Sequence, residues 1–128
     1  MKEEEKHKDW LVNCAALEGY IISEIAYIFT TDEELLKLNI NFLGHDYYTD
    51  ILTFDRSENK KLSGDIFIST ERVSENAEVN KVNVHEELRR VMIHGVLHMM
   101  GYGDTNRIER GRMRGKENIY LKMFHVEQ

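Results

Sequence analysis

Proline is absent from the chain, and cysteine occurs once, at Cys14. A lone cysteine closes no internal disulfide, so the protein is expected in a reducing compartment, the cytoplasm. Cys14 sits among apolar residues at helical spacing, which predicts a small buried hydrophobe and not a reactive thiol. No apolar run approaches the roughly 20 residues of a membrane span, so no membrane partner is expected. The segment Met1 to Asp9 is charged and lacks the apolar core of a secretion signal. There is no internal repeat and no low-complexity stretch to mark a linker. The 128 residues are read as a single domain, 1–128, long enough to bury a core without disulfides.

Positive charge is also in short supply. The net charge of −6 argues against a general affinity for nucleic acid, and DNA is not an expected partner. The distribution is uneven, however. Between Thr105 and Lys116 stand Arg107, Arg110, Arg112, Arg114 and Lys116, with Glu109 the only acid. Such a segment suits an anionic substrate, and it equally suits a solvated helix face.

Periodicity predicts a helix over residues 2–18, with Trp10, Leu11, Cys14, Ala15 and Leu17 on its apolar stripe. Tyr20 to Thr30 reads as a strand. Thr31-Asp-Glu-Glu34 is a capping-box pattern, followed by Leu35, Leu38 and Phe42 on one helical face. A loop over 44–50 leads to a short strand, Ile51 to Asp55. Polar residues 56–63 read as a hairpin loop before a strand from Gly64 to Ser69, and a short helix over 70–79 follows. Asn83 to Met100 is expected to be the longest helix. A last helix, Thr105 to Phe124, carries Ile108, Met113, Ile119, Tyr120 and Met123, with Gly111 and Gly115 weakening its middle. Strands and helices together indicate the α+β or α/β class.

The most informative stretch is His94-Gly95-Val96-Leu97-His98-Met99-Met100-Gly101-Tyr102-Gly103-Asp104. Histidines four apart on a helix point from one face and can hold one metal ion. Gly101 can end the helix and turn the chain. Asp104 then falls where a third ligand would return to the same ion. The spacing is that of the HExxHxxGxxH zinc motif with two changes. Gly95 stands where a protease carries its general-base glutamate, and Asp104 stands where the third histidine would be. Two imidazoles and one carboxylate leave a fourth position open, the catalytic pattern of zinc and not the closed structural one. The carboxylate also suits harder metals than zinc.

These residues resemble the signature H-G-x-L-H-x-x-G-Y-D-H of the YbeY-type bacterial rRNA maturation factors, a family of metal-dependent endoribonucleases. Thr49-Asp50-Ile51-Leu52-Thr53-Phe54 is similar to that family's T-[DN]-V-L-S-F block. Gly64-Asp65-Ile66-Phe67-Ile68-Ser69 is similar to its G-D-I-x-I-S block. Met113 and Glu117 are similar to its closing M-x-x-x-E. The resemblance runs from about residue 25 to the end, in order. It implies an α+β domain with a small mixed β-sheet flanked by helices and a metal site at the end of the longest helix. It implies one divalent ion per chain, with zinc expected, held by His94, His98 and Asp104, and His94 as the catalytic residue. It implies a cytoplasmic protein that acts on ribosomal RNA, in 3′-end maturation of the small-subunit rRNA and in ribosome quality control. The candidate RNA-binding residues are Arg107, Arg110, Arg112 and Arg114.

The chain departs from the family pattern in three places. Asp104 replaces the third histidine and Gly103 the preceding aspartate, so Asp104 reads either as the third ligand or as that aspartate displaced by one. Leu43 stands where the family carries an arginine suited to phosphate contact, with His45 or an arginine of 107–114 as substitutes. The family usually opens with a strand ahead of the first helix, whereas this chain opens almost at the helix. Two other readings therefore stand beside the nuclease: a non-catalytic ribosome-assembly factor with a structural metal, and a small metallohydrolase acting on peptides, which Gly95 disfavours. Thr49 and Asp50 are either groove-lining or plain turn residues, and His85 is expected on the surface, facing away from the histidine pair.

Overall fold

The structure is a computed structural model and describes residues 2–126. Helix α1 spans Glu3–Leu17, strand β1 Ile21–Thr30 and helix α2 Asp32–Leu38, which a π-helical turn, Asn39–Leu43, extends. Strands β2 (Ile51–Asp55) and β3 (Lys61–Ser69) follow, then helices α3 (Thr70–Asn80), α4 (Val84–Met99) and α5 (Arg107–Val126). The class is α+β.

The sheet is small and mixed, in the order β1-β3-β2. β1 runs parallel to β3 and β2 antiparallel to it, so Ile66 of β3 lies between Tyr27 and Thr53. A tight turn makes the hairpin. Asn59 and Lys60 both have positive φ, 53° and 63°, and Glu58 bridges to Lys61. Two such residues form the turn whose twist matches paired strands. β3 therefore starts at Lys61, and the loop expected over 56–63 is shorter than its polarity suggested.

The core lies between sheet and helices. Alternation along β3 turns Leu62, Ile66 and Ile68 inward, all fully buried. α4 packs on β2 and β3, α1 on β1, and α5 on α1 and α4. Cys14 is buried, and Trp10 donates a 2.6 Å hydrogen bond from its indole nitrogen to the Tyr120 carbonyl of α5.

Gly95 sets how close α4 comes to the sheet. A Cβ there would stand 3.0 Å from the Cδ1 methyls of both Ile51 and Ile66. The residue in the position of a protease base thus serves packing.

Several sequence expectations are corrected. The helix bearing His94 and His98 has 16 residues, while α5 has 20, so the histidine site does not lie at the end of the longest helix. α4 stops because Gly101 turns the chain. α5 continues through both glycines because Met113, Tyr120, Leu121 and Phe124 bury one face of it. Leu17, Phe42, Ile108 and Ile119 lie outside the core, each more than half exposed. For Phe42 the cause is the π-helical turn. Its wider winding rotates the ring off the face of Leu35, to an edge contact with Phe54 at 6.0 Å.

Candidate metal centre

His94 and His98 leave α4 on one face, at the end where the helix stops. The Asn83 side chain caps the start of α4 by accepting from the His85 backbone N–H, which leaves His85 exposed and far from the pair. At the other end Gly101 takes φ +97°, a value that favours glycine. Its N–H donates to the His98 carbonyl at 3.0 Å, and that of Tyr102 donates to the Leu97 carbonyl at 3.0 Å. This turn brings Asp104 back over the histidines. Asp104 Oδ2 lies 3.2 Å from His98 Nε2 and 3.4 Å from His94 Nε2. The two rings stand 4.6 Å apart and nearly perpendicular, at 84°.

These distances test the fit of an ion. Ligands about 2.0–2.1 Å from a tetrahedral metal are separated by about 3.3 Å. The two Asp104–histidine separations are close to that length, and the shorter one, 3.2 Å to His98, is also within hydrogen-bond distance. The three donor atoms all lie within 4.8 Å of one another. Soft-to-borderline imidazole and hard carboxylate together suit a divalent ion. The set contains three protein donors among the described residues, one fewer than a closed tetrahedral site.

Glu117 on α5 accepts a 2.7 Å hydrogen bond from His94 Nδ1. A carboxylate only accepts, so Nδ1 carries the proton and Nε2 is left facing Asp104. Glu117 is 4% exposed and is also held by Arg90, whose Nη1 donates to it at 2.8 Å while Nη2 donates to Asn118 Oδ1 at 2.8 Å. Burial pushes the Glu117 carboxyl up, but the contacts with His94 and Arg90 outweigh burial and hold it below its ordinary value. For His94, burial pulls down, and the carboxylates of Glu117, Asp104 and Asp50 more than reverse it.

A cleft of about 410 Å³ opens beside the triad, and His94 and Asp104 line it. One wall carries Asp50, just ahead of β2, and Glu87, in the first turn of α4. Burial pushes both carboxyls above their ordinary values, against the opposing charges of His94 and Arg72 on Asp50 and of Arg90 on Glu87. The other wall is α5, with Arg110, Met113, Arg114 and Glu117.

The structure divides the basic segment. Arg110 and Arg114 line the cleft. Arg112 lines a separate hollow with Glu18 and Tyr102, and Arg107, at the first position of α5, lines neither. Leu43 is exposed on the π-helical turn, and His45 is bound by the Tyr47 hydroxyl at 3.0 Å, outside the cleft. Of the pair before β2, Asp50 faces the cleft, whereas the Thr49 hydroxyl donates to the Ile51 carbonyl. Sequence reasoning missed Arg90, Glu87 and Glu18. Arg90 stands one turn before His94, a spacing that signals a shared face but not a shared partner.

Glu18 closes the back of the ligand-bearing turn. Its carboxylate accepts from the Tyr102 hydroxyl at 2.7 Å, from Lys116 Nζ at 2.9 Å, and from the Tyr120 hydroxyl. Among the described residues no helix is long and apolar enough to cross a membrane.

Comparison with known proteins finds relatives along nearly the whole chain. The family model for Endoribonuclease YbeY matches residues 2–125. The Endoribonuclease YbeY of Christiangramia forsetii is 44% identical over 128 residues, covering 100% of this chain and 90% of that protein. That of Cytophaga hutchinsonii is 48% identical over 124 residues, covering 96% of this chain and 87% of the relative. A solution structure of a Thermotoga maritima protein superposes with a TM-score of 0.68 at 30% identity, covering 99% of this chain and 86% of that one. With its sequence matched almost end to end, the chain belongs to the endoribonuclease YbeY family.

Proposed function

We propose that residues 1–128 form a single metal-dependent endoribonuclease domain that cuts ribosomal RNA in the cytoplasm, in 3′-end maturation of the small-subunit rRNA and in ribosome quality control. The observation that carries this reading is the triad His94, His98 and Asp104 at the edge of a cleft that Arg110 and Arg114 help to line, in a chain of the YbeY family. In this reading the three residues hold one divalent ion, zinc, with Asp104 as the third ligand, and the convergence of two imidazoles and one carboxylate supports it. When bound, the ion supplies Lewis acidity toward a phosphoryl oxygen. His94 presents Nε2 to the site, Glu117 keeps it in that tautomer, and Arg90 keeps Glu117 ionised. The part of the basic segment that lines the cleft, Arg110 and Arg114, supplies charge toward RNA. Peptide hydrolysis is disfavoured, because the position of the protease base is packed against Ile51 and Ile66.

The test combines elemental analysis with cleavage of a small-subunit rRNA fragment by the purified protein. The wild type is expected to carry one divalent ion and to cut the fragment, with activity lost to a chelator and restored by zinc. His94→Ala and Asp104→Ala are expected to lose both metal and cleavage. Equal cleavage by the chelated protein, or metal and cleavage both unchanged in His94→Ala, overturns the reading.

A further inference from the structure

The cleft carries both signs of charge, since Asp50, Glu87 and Glu117 line it as well as Arg90, Arg110 and Arg114, and the positive charge left uncommitted decides where an anion can sit. On one side stand the carboxylates of Asp50 and Glu87. On the α5 side, beside the Glu117 carboxylate that Arg90 and His94 hold, stand two guanidinium groups with spare donors. Arg114 is 59% exposed, and its ion pair with Glu117 Oε1 is loose, at 3.7 Å, to an oxygen that Arg90 holds at 2.8 Å. Arg110 is exposed and makes no ion pair with any described residue. Arg90, by contrast, has committed both terminal nitrogens to Glu117 and Asn118. Asp104 also lines the cleft, and its Oδ2 lies within 3.4 Å of both imidazoles.

Helix geometry separates the four arginines of the segment. Residues 110 and 114 lie about 40° apart around α5 and one turn apart along it, so their side chains share a face with Cβ atoms about 5–6 Å apart. Residue 112 is rotated about 200° from residue 110 and points to the hollow of Glu18 and Tyr102. Gly111 and Gly115 follow the two cleft arginines, and neither has any atom within 4 Å of where a Cβ would stand. Each glycine is rotated about 100° around the helix from the arginine it follows, so it crowds neither guanidinium.

We infer that Arg110 and Arg114 form a clamp for the substrate's phosphates, and that Arg107 and Arg112 stay outside the contact. The clamp holds one phosphate, or two in succession, against the α5 wall, with the triad at the edge of the same cleft. A guanidinium offers a planar fork of donors that matches phosphate oxygens, and it stays charged throughout the working pH range. The inference rests on the ribonuclease reading above and narrows it to two residues.

The experiment measures binding of a short single-stranded RNA with 2′-O-methyl riboses, which resists cleavage, by fluorescence anisotropy across a salt series. Arg110→Ala and Arg114→Ala are each expected to weaken binding several-fold and to flatten the slope of log affinity against log salt by about 0.7, the double variant by about twice that. Arg107→Ala and Arg112→Ala are expected to stay within about two-fold of the wild type. Metal content and melting temperature of all four report that the site and fold are intact. The conservative variants Arg110→Lys and Arg114→Lys are expected to restore the slope while recovering only part of the affinity. Losses spread evenly over the four arginines, or a double variant with wild-type affinity and slope, overturn the clamp. RNA binding without cleavage by the wild type overturns the proposed function alone. Cleavage that ignores both arginines overturns the clamp alone, and a wild type that does not bind RNA overturns both.

Discussion

Glu117 and His94, 23 residues apart on two helices, are joined by a 2.7 Å hydrogen bond that decides which imidazole nitrogen faces Asp104. The bond fixes the ring's tautomer and orientation at once. Glu117→Ala is expected to lower metal affinity roughly 10- to 100-fold, the usual cost of losing such a support. Glu117→Gln, which keeps one acceptor, is expected to lose less. Competition with a chromogenic chelator gives both values, and unchanged affinity in Glu117→Ala would show that His94 holds its orientation without help.

Glu18 predicts a pH dependence of stability. Burial pushes its carboxyl up, but the hydrogen bonds from Tyr120, Lys116 and Tyr102 outweigh burial and hold it below its ordinary 4.5. A carboxyl depressed in the folded state stabilises fully above its unfolded value, and the contribution is lost as pH falls through the folded value. Glu18→Gln is expected to cost about 1–3 kcal/mol at neutral pH, since three donors lose a charged acceptor. The gap between wild type and variant should be flat at neutral pH and shrink only below about pH 4.5, in urea unfolding at a series of pH values. A gap that widens in acid contradicts this assignment.

Gly95→Glu is expected to destabilise the fold by more than about 3 kcal/mol, because it drives an unpaired carboxylate between Ile51 and Ile66. Urea denaturation measures the loss. A stable Gly95→Glu protein that cleaved peptides would reopen the protease reading.

Gly111→Ala and Gly115→Ala act in the opposite direction. Both positions are helical and open, so alanine meets no clash and removes backbone entropy from the unfolded chain. Each is expected to add about 0.5–1 kcal/mol, visible as a higher melting temperature. No gain would mean that the helix is already strained at these positions.

Features written in short windows were legible before folding. The Thr31 hydroxyl caps α2 by accepting from the Glu34 N–H at 3.2 Å, as its capping-box pattern foretold. The hairpin and most element boundaries were readable for the same reason. Misreadings arose where packing outvoted period. Ile108 and Ile119 match the apolar spacing of α5 yet stay outside, since the buried face runs through Met113, Tyr120, Leu121 and Phe124. The hub at Glu18 was invisible, because Tyr102 is 84 residues away in the chain.

The histidine spacing and the glycine turn alone dictate that His94, His98 and Asp104 can meet, because a helical period and a positive φ are properties of a few adjacent residues. Only the packed molecule settles what surrounds them. The approach of α5 selects Glu117 as the partner of His94, turns Arg110 and Arg114 toward the cleft and Arg112 away from it, and the closeness of α4 to the sheet gives Gly95 its purpose. Those relationships depend on distances between elements remote in the chain, which burial of a common core sets and no local pattern records.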